Sequence, residues 1–429
     1  MREFPQHNLS AASRRQFVRA VIYGGLAFAG LPAFGRASRP PLGHVVVIGA
    51  GFAGLTAAKY LRDWSGGNIA VTLVEPNSQF VSCPQSNLVL GGSKTLDDLS
   101  FSYQTARKRH GINWVKDSAI AIDVQNRQLQ LSRGTLAYDK LILAPGVDFD
   151  YSHIPGMAIP VADIPHAWKA GKQTLQLRQQ LESMPDGGNF VMTIPRGPYR
   201  CPPGPYERAC QVAHYFKQAK PRSKVIILDA NPDITSKKGL FLQSFKNQYD
   251  GLIEYHNNSE IILLDPVKKT VKTDFEQVQA DVLNVIPPQL AGKIAQSAGL
   301  NNVDQRWCEV DFVTYASSAH PDIHIIGDSI SAGLPKSAHM ATSQAKICAA
   351  AIVDMLAGQS PNPLPVFANT CYSFVDDKQA IHVANVYRYD AQKKTMVSAE
   401  GGGVSLQASV QEGDFAQAWA QNIWTDTLN

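Results

Sequence analysis

The sequence contains no Cys-x-x-Cys-His, so it offers no attachment site for a c-type haem. Six cysteines among 429 residues are too few for a disulfide scaffold. No lysine- or arginine-rich run with interleaved aromatics occurs. The formal charge of +4 is mild and sits partly in the N-terminal leader, so nucleic acid is not an expected partner. There is no tandem repeat and no low-complexity tract, and no metal site is expected. Beyond the leader no hydrophobic run is long enough to span a membrane. What remains is an ordinary globular composition, long enough for two or three domains.

The leader has its own pattern. Ser13-Arg14-Arg15-Gln16-Phe17-Val18 precedes the uncharged stretch 20–34 and the small residues near Ala37. This looks like a twin-arginine export signal over 1–37, carrying the folded protein to the periplasm. An uncleaved anchor is the other reading. No integral membrane segment is expected after cleavage.

The strongest motif follows at once. Val45 to Ile48 reads as a buried parallel strand, and Gly49, Gly51 and Gly54 give the Gly-x-Gly-x-x-Gly spacing before a helix. The first glycine allows the tight turn, the second lets a pyrophosphate reach the backbone, and the third lets helix and strand pack closely. A second strand ends at Glu75, about twenty residues on, where a ribose-binding carboxylate belongs. An acidic residue there suits FAD or NAD, not NADP.

The chain then supplies further candidates. Phe80 to Asn87 should pass beside a flavin ring, and holds one cysteine, Cys83, where a disulfide reductase would carry two. Cys83 is either a covalent attachment point or a buried, inert thiol. Gln128–Leu131 and 135–138 read as a hairpin. The strand 139–143 ends in Ala144-Pro145-Gly146, which resembles a second flavin contact with proline replacing the usual threonine. The strand 323–326 ends in Gly327-Asp328, where Asp328 is a ribityl contact or a simple turn residue. Lys336, before a helix over 340–356, would favour negative charge on a reduced flavin ring, or is merely solvated.

The middle of the chain repeats the βαβ frame with the wrong loop. Strands over 189–194 and 224–229 flank a helix that begins near Tyr206. Where glycines should stand, 195–205 carries Pro195, Pro198, Pro202, Pro203 and Pro205. Proline has no N–H, so this loop cannot ring a pyrophosphate with donors. A nicotinamide domain without its nicotinamide is expected, with Cys201 held at a fixed position. Near its end, Phe415, Trp419 and Ile423 give a helix an apolar face for domain packing or a subunit contact.

The expected fold class is α/β: two Rossmann-like dinucleotide-binding domains, glutathione-reductase-like, plus a C-terminal α+β domain. The FAD-binding domain takes 38–155 and 291–357, the NAD-binding-like domain 156–290, and the C-terminal domain 358–429, a candidate cytochrome or dimer interface.

With these residues in place, the chain resembles the flavoprotein subunit of flavocytochrome c sulfide dehydrogenase over nearly all of its mature length. The most specific mark is Tyr199-Arg200-Cys201-Pro202-Pro203-Gly204-Pro205-Tyr206-Glu207-Arg208. Val74-Glu75-Pro76-Asn77, Ile286-Pro287-Pro288, Pro335-Lys336-Ser337 and Asn369-Thr370-Cys371-Tyr372-Ser373 support it. Alanines at Ala50 and Ala53 and a serine at Ser329 are modest departures. The resemblance implies FAD joined to Cys83 as a thioether and a redox-active disulfide between Cys201 and Cys371. Hydrosulfide would attack that disulfide, and the electrons would pass through the flavin to haem on a separate c-type cytochrome subunit. Glu207 is a candidate proton shuttle or an exposed first-turn carboxylate. Cys308 and Cys348 are expected in the core, and Cys210 on a helix near Cys201, where a wrong disulfide is the alternative to no role. The rival functions are a sulfide:quinone oxidoreductase, an NAD(P)H-dependent reductase, which the proline loop opposes, and a flavoprotein scaffold without sulfide activity.

Overall fold

A computed structural model describes residues 42–429; the export signal expected over 1–37 lies outside these residues. The first domain begins with β1 (Gly43–Ile48), α1 (Phe52–Trp64), β2 (Ile69–Val74), β3 (Asn113–Val115) and β4 (Lys140–Leu143). The middle domain carries β5 (Asn189–Ile194), α2 (Gly204–Ala219), β6 (Lys224–Asp229), β7 (Ile253–His256) and β8 (Val282–Val285). The chain then returns through β9 (Ile323–Ile325) and α3 (Ala338–Leu356). It ends in β10 (Val366–Phe374), β11 (Ala380–Asp390), β12 (Thr395–Val404) and α4 (Val410–Leu428).

Two parallel sheets result, as the sequence led us to expect. The first runs β9-β4-β1-β2-β3 and the second β7-β6-β5-β8. Val45, Val46 and Val47 are wholly buried, because helices cover both faces of a parallel sheet. Each such side chain contributes about 1.5–3 kcal/mol by leaving water. The chain crosses between the sheets twice, and the crossings pair with each other: Val147–Phe149 runs antiparallel to Gln289–Ala291. The hairpin forms from Gln128–Leu131 and Gly134–Ala137.

Two elements differ from the sequence reading. α2 starts at Gly204, inside the proline loop, because Pro205 falls in its first turn, where a missing N–H costs nothing. α4 does form, but its buried face is offset. Phe415 is 50% exposed, while Ala416, Ala420, Ile423, Trp424 and Leu428 are buried. Small residues decide this: a Cβ on Gly413 would lie 1.8 Å from the Lys378 carbonyl oxygen, so only glycine lets the helix approach so closely. The helix docks back on the first domain. Trp424 Nε1 donates to Ser82 Oγ (2.9 Å), and Tyr60 OH donates to Asp426 (2.6 Å). Among the described residues no helix is long and apolar enough to cross a membrane.

Candidate active site

A cavity of about 690 Å³ opens at the C-terminal ends of the first sheet's strands, where α/β folds take their ligands. Gly49, Gly51, Glu75, Cys83, Ala144, Gly146, Asp328, Cys201, Cys371 and Glu207 line it, and of the predicted glycines Gly54 does not. Gly54 is the exception to direct exposure: it sits behind the turn, where a Cβ would fall 1.9 Å from the Gly49 carbonyl oxygen. Gly49 itself has φ +90°, and a Cβ there would fall 2.5 Å from the Ala144 carbonyl oxygen. Gly51 is exposed with nothing within 4 Å of its Cβ position, which leaves the backbone open to a ligand. Glu75 accepts from Ala50 N (2.9 Å), Asn77 N (2.9 Å) and Asn77 Nδ2 (2.6 Å), tying the turn to the second strand. Burial holds the Asp328 carboxyl above its usual range, against the opposing pull of Arg200 and Lys336. An open glycine turn, a polar end at Asp328 and the N-terminus of α3 together fit a flavin dinucleotide.

The other wall is sulfur chemistry. Cys201 sits in the left-handed region at φ +57°. Its N–H donates to Lys336 O (2.8 Å), and its carbonyl accepts from Gly204 N (2.8 Å). Arg200 N donates to Gln289 Oε1 (2.8 Å), and Trp168 Nε1 donates to Arg200 O (3.0 Å). A Cβ on Gly204 would meet Cys201 Sγ and Trp168, each at 2.9 Å, so glycine makes room for the thiol. Cys371 arrives from β10 and brings a second free thiol to the same wall, next to Cys201. The neighbouring Cys201 thiol, with Lys237 nearby, pushes the Cys371 thiol down to about 7, while the same contact and burial push Cys201 up. Lys237 Nζ donates to Cys371 O (3.0 Å) and Ser373 Oγ (2.9 Å).

Glu207 is buried rather than an exposed first-turn carboxylate. It accepts from Phe374 N (2.8 Å) and Asn87 Nδ2 (2.9 Å), and burial raises its pKa above the ordinary carboxylate range. Buried Arg208 braces this corner: its guanidinium donates to Asn87 Oδ1, Asn284 Oδ1 and the carbonyls of His166 and Ala167. Cys83 is half-buried on the loop before the helix Asn87–Gly91. Cys210, Cys308 and Cys348 are fully buried in the core.

Lys336 is placed differently from expectation. Its ammonium does not line the cavity but donates to the carbonyls of Asp328 (2.8 Å) and Ile330 (2.7 Å), 3.8 Å from the Trp307 ring centre. Burial lowers its pKa to about 8. The role left to it is holding the turn that presents Asp328. Sequence reasoning also missed Lys237, Trp168 and Trp419, the last two lining the cavity. Trp419 was read only as packing; no spacing in the sequence marks any of the three as neighbours of Cys201.

The comparisons follow the same division. The family model for the sulfide dehydrogenase [flavocytochrome c] flavoprotein chain, central, matches residues 174–287. The flavocytochrome c sulphide dehydrogenase flavin-binding model matches 363–428, and the pyridine nucleotide-disulphide oxidoreductase model 43–185. Over 46 residues the chain is 58% identical to a sulfide dehydrogenase [flavocytochrome c] flavoprotein chain of Chlorobaculum thiosulfatiphilum, covering 11% of this chain and 94% of that sequence. A type II NADH:quinone oxidoreductase of Staphylococcus saprophyticus is 26% identical over 114 residues, 26% of this chain and 28% of that one. Among solved structures, the sulfide:quinone oxidoreductase of Aquifex aeolicus superposes with a TM-score of 0.74 at 18% identity, covering 90% of this chain and 91% of that one. An NAD-dependent persulfide reductase from A. fulgidus gives 0.61 at 16% identity, covering 88% and 77%. These two likenesses concern the fold.

Proposed function

Because the chain belongs to the family of flavocytochrome c sulfide dehydrogenase flavoprotein chains, we propose that it oxidises hydrosulfide at Cys201 and Cys371 and delivers the electrons through FAD to a c-type cytochrome subunit. The observation that carries this reading is the meeting of two free thiols, 170 residues apart in sequence, on the wall of the cavity formed by the glycine turn. FAD, when bound, takes up an electron pair and hands electrons on singly, as a haem acceptor requires.

The chain's own residues supply the rest. With the pair oxidised to a disulfide, hydrosulfide attacks Sγ of Cys201. The S–S bond breaks, Cys371 leaves as the thiolate, and Cys201 carries a persulfide. Cys371 is the better leaving group, because the lower-pKa thiol departs faster. A second hydrosulfide takes the outer sulfur as HSSH and frees the Cys201 thiolate. Glu207, held partly protonatable by burial, receives the proton as HSSH becomes HSS⁻. Re-forming the disulfide from the two thiolates yields two electrons. The sum is two HS⁻ giving HSS⁻, one proton and two electrons.

Cys83 lines the same cavity and is the thioether attachment point in this reading. The leader takes the folded, flavin-loaded protein to the periplasm by the twin-arginine route. The test is reconstitution. The purified chain, unfolded in denaturant, should keep its flavin on the Cys83 peptide. Native protein carrying its attached flavin should reduce a c-type cytochrome when given sulfide. Reduction of a soluble quinone analogue with no reduction of cytochrome would favour the quinone-linked reading instead.

A further inference from the structure

Arg200 stands out among the cavity's cations. Its backbone is fully engaged by Gln289 and Trp168, yet among the described residues its guanidinium makes no hydrogen bond or ion pair, and Nη2 is buried without a partner. The other buried cations are satisfied. Lys336 is bound to two carbonyls, Lys237 to a carbonyl and a hydroxyl, and Arg208 to four acceptors. A buried donor without an acceptor has given up its hydration with nothing in return, and a charged one loses most, so such a group signals a missing partner. Arg200 lines the cavity together with Cys83, Cys201 and the Gly327-Asp328 turn, and Asp328 is a carboxylate close enough to act on its charge. Its charge therefore belongs to the wall that also carries the proposed attachment point and the Gly327-Asp328 turn.

We propose that Arg200 is the counter-charge of the reduced flavin, a positioning role that the sequence had suggested for Lys336. Two electrons and one proton convert FAD to its reduced anion; the guanidinium stabilises the added negative charge and raises the flavin's tendency to accept electrons. This rests on the flavin-binding reading, but not on sulfide being the donor.

The test is the two-electron midpoint potential of the flavin-loaded protein, measured with a chemical reductant and redox dyes, so that sulfide plays no part. Arg200→Gln should lower the equilibrium constant for reduction at least tenfold, about 30 mV for a two-electron couple. Arg200→Lys, which keeps the charge, should remain within about threefold of the parent. If the Gln variant loses its flavin, the Lys variant decides: a potential that tracks retained charge supports the role, and a tenfold fall despite it overturns the role. An unchanged potential in Arg200→Gln overturns it too; slower bleaching by sulfide at that unchanged potential would reassign Arg200 to the substrate anion. A parent protein that holds no flavin would overturn this inference and the functional reading together, whereas a flavin that responds to Arg200 but not to sulfide would overturn only the latter.

Discussion

The chain builds the same βαβ frame twice and uses it oppositely. In the first copy, glycines keep the turn after β1 thin, Gly51 is open, and Glu75 stands at the cavity edge. In the second, the turn after β5 is stiffened by five prolines, and α2 begins with Gly204 packed against Cys201 Sγ. The acidic strand ends differ in the same way. Asp229 is fully buried and accepts from Tyr206 OH (2.7 Å), Tyr255 OH (3.1 Å) and Asn231 Nδ2 (2.8 Å), so nothing is left for a ribose. Parallel strands and a crossover helix are thus only a platform. The residues of the turn decide whether its end receives a nucleotide or presents a thiol.

The comparison can be broken most severely at the thiols. Cys201→Ser or Cys371→Ser should cut sulfide-dependent flavin bleaching by at least about a thousandfold. Flavin content should stay at parental levels in both; normal bleaching in either would remove the second copy from the chemistry.

The first copy is tested by two glycines. Gly54→Ala places a methyl against the Gly49 carbonyl and should cost about 3 kcal/mol or more of stability, read as a lower denaturation midpoint. Gly51→Ala meets no protein atom, so stability should hold while the flavin content of the purified variant falls about tenfold or more, read from its flavin-to-protein absorbance ratio. Equal stability loss in both would mean the turn is merely structural.

A smaller effect is expected at Lys237. Alkylation of Cys371 in the reduced protein, followed by peptide mass mapping, should rise with pH through about 7, since the thiolate is the reactive form. Lys237→Met removes a cation that favours the thiolate, so the midpoint should move to higher pH. A midpoint left in place would assign the depression entirely to the neighbouring Cys201 thiol.

The mildest change is Tyr206→Phe. Losing one hydrogen bond to the buried Asp229 should lower stability by about 1.5–3 kcal/mol, with flavin content and bleaching unaltered. A gain of NADH binding in that variant would show that the second copy is closed by Asp229's partners rather than by its prolines.

Much of this was legible from local pattern. The glycine spacing, the apolar runs of β1, β2, β5 and β6, and the proline loop all act within a few residues, so period and turn chemistry expose them. Cys201 and Cys371 could be paired only through family resemblance, because nothing local records which strand of the C-terminal unit returns to the middle domain. Lys336 shows the opposite failure. Its place beside a helix start suggested a cavity cation, but burial against Trp307 and two carbonyls took its charge elsewhere. The offset of α4 has a like cause. Large apolar residues marked one face, yet Gly413, Ala416 and Ala420 set the approach distance, and small residues carry little weight in a hydrophobic pattern.

The most direct measurement is anaerobic mixing of the flavin-loaded protein with sulfide and, separately, with NADH, following flavin absorbance. Rapid bleaching by sulfide and none by NADH is the expected result, since the thiol pair is presented to the cavity and the second nucleotide turn is closed. Bleaching by NADH with none by sulfide would contradict the account, because it would mean that the proline loop still admits a nicotinamide and that the cysteines are bystanders.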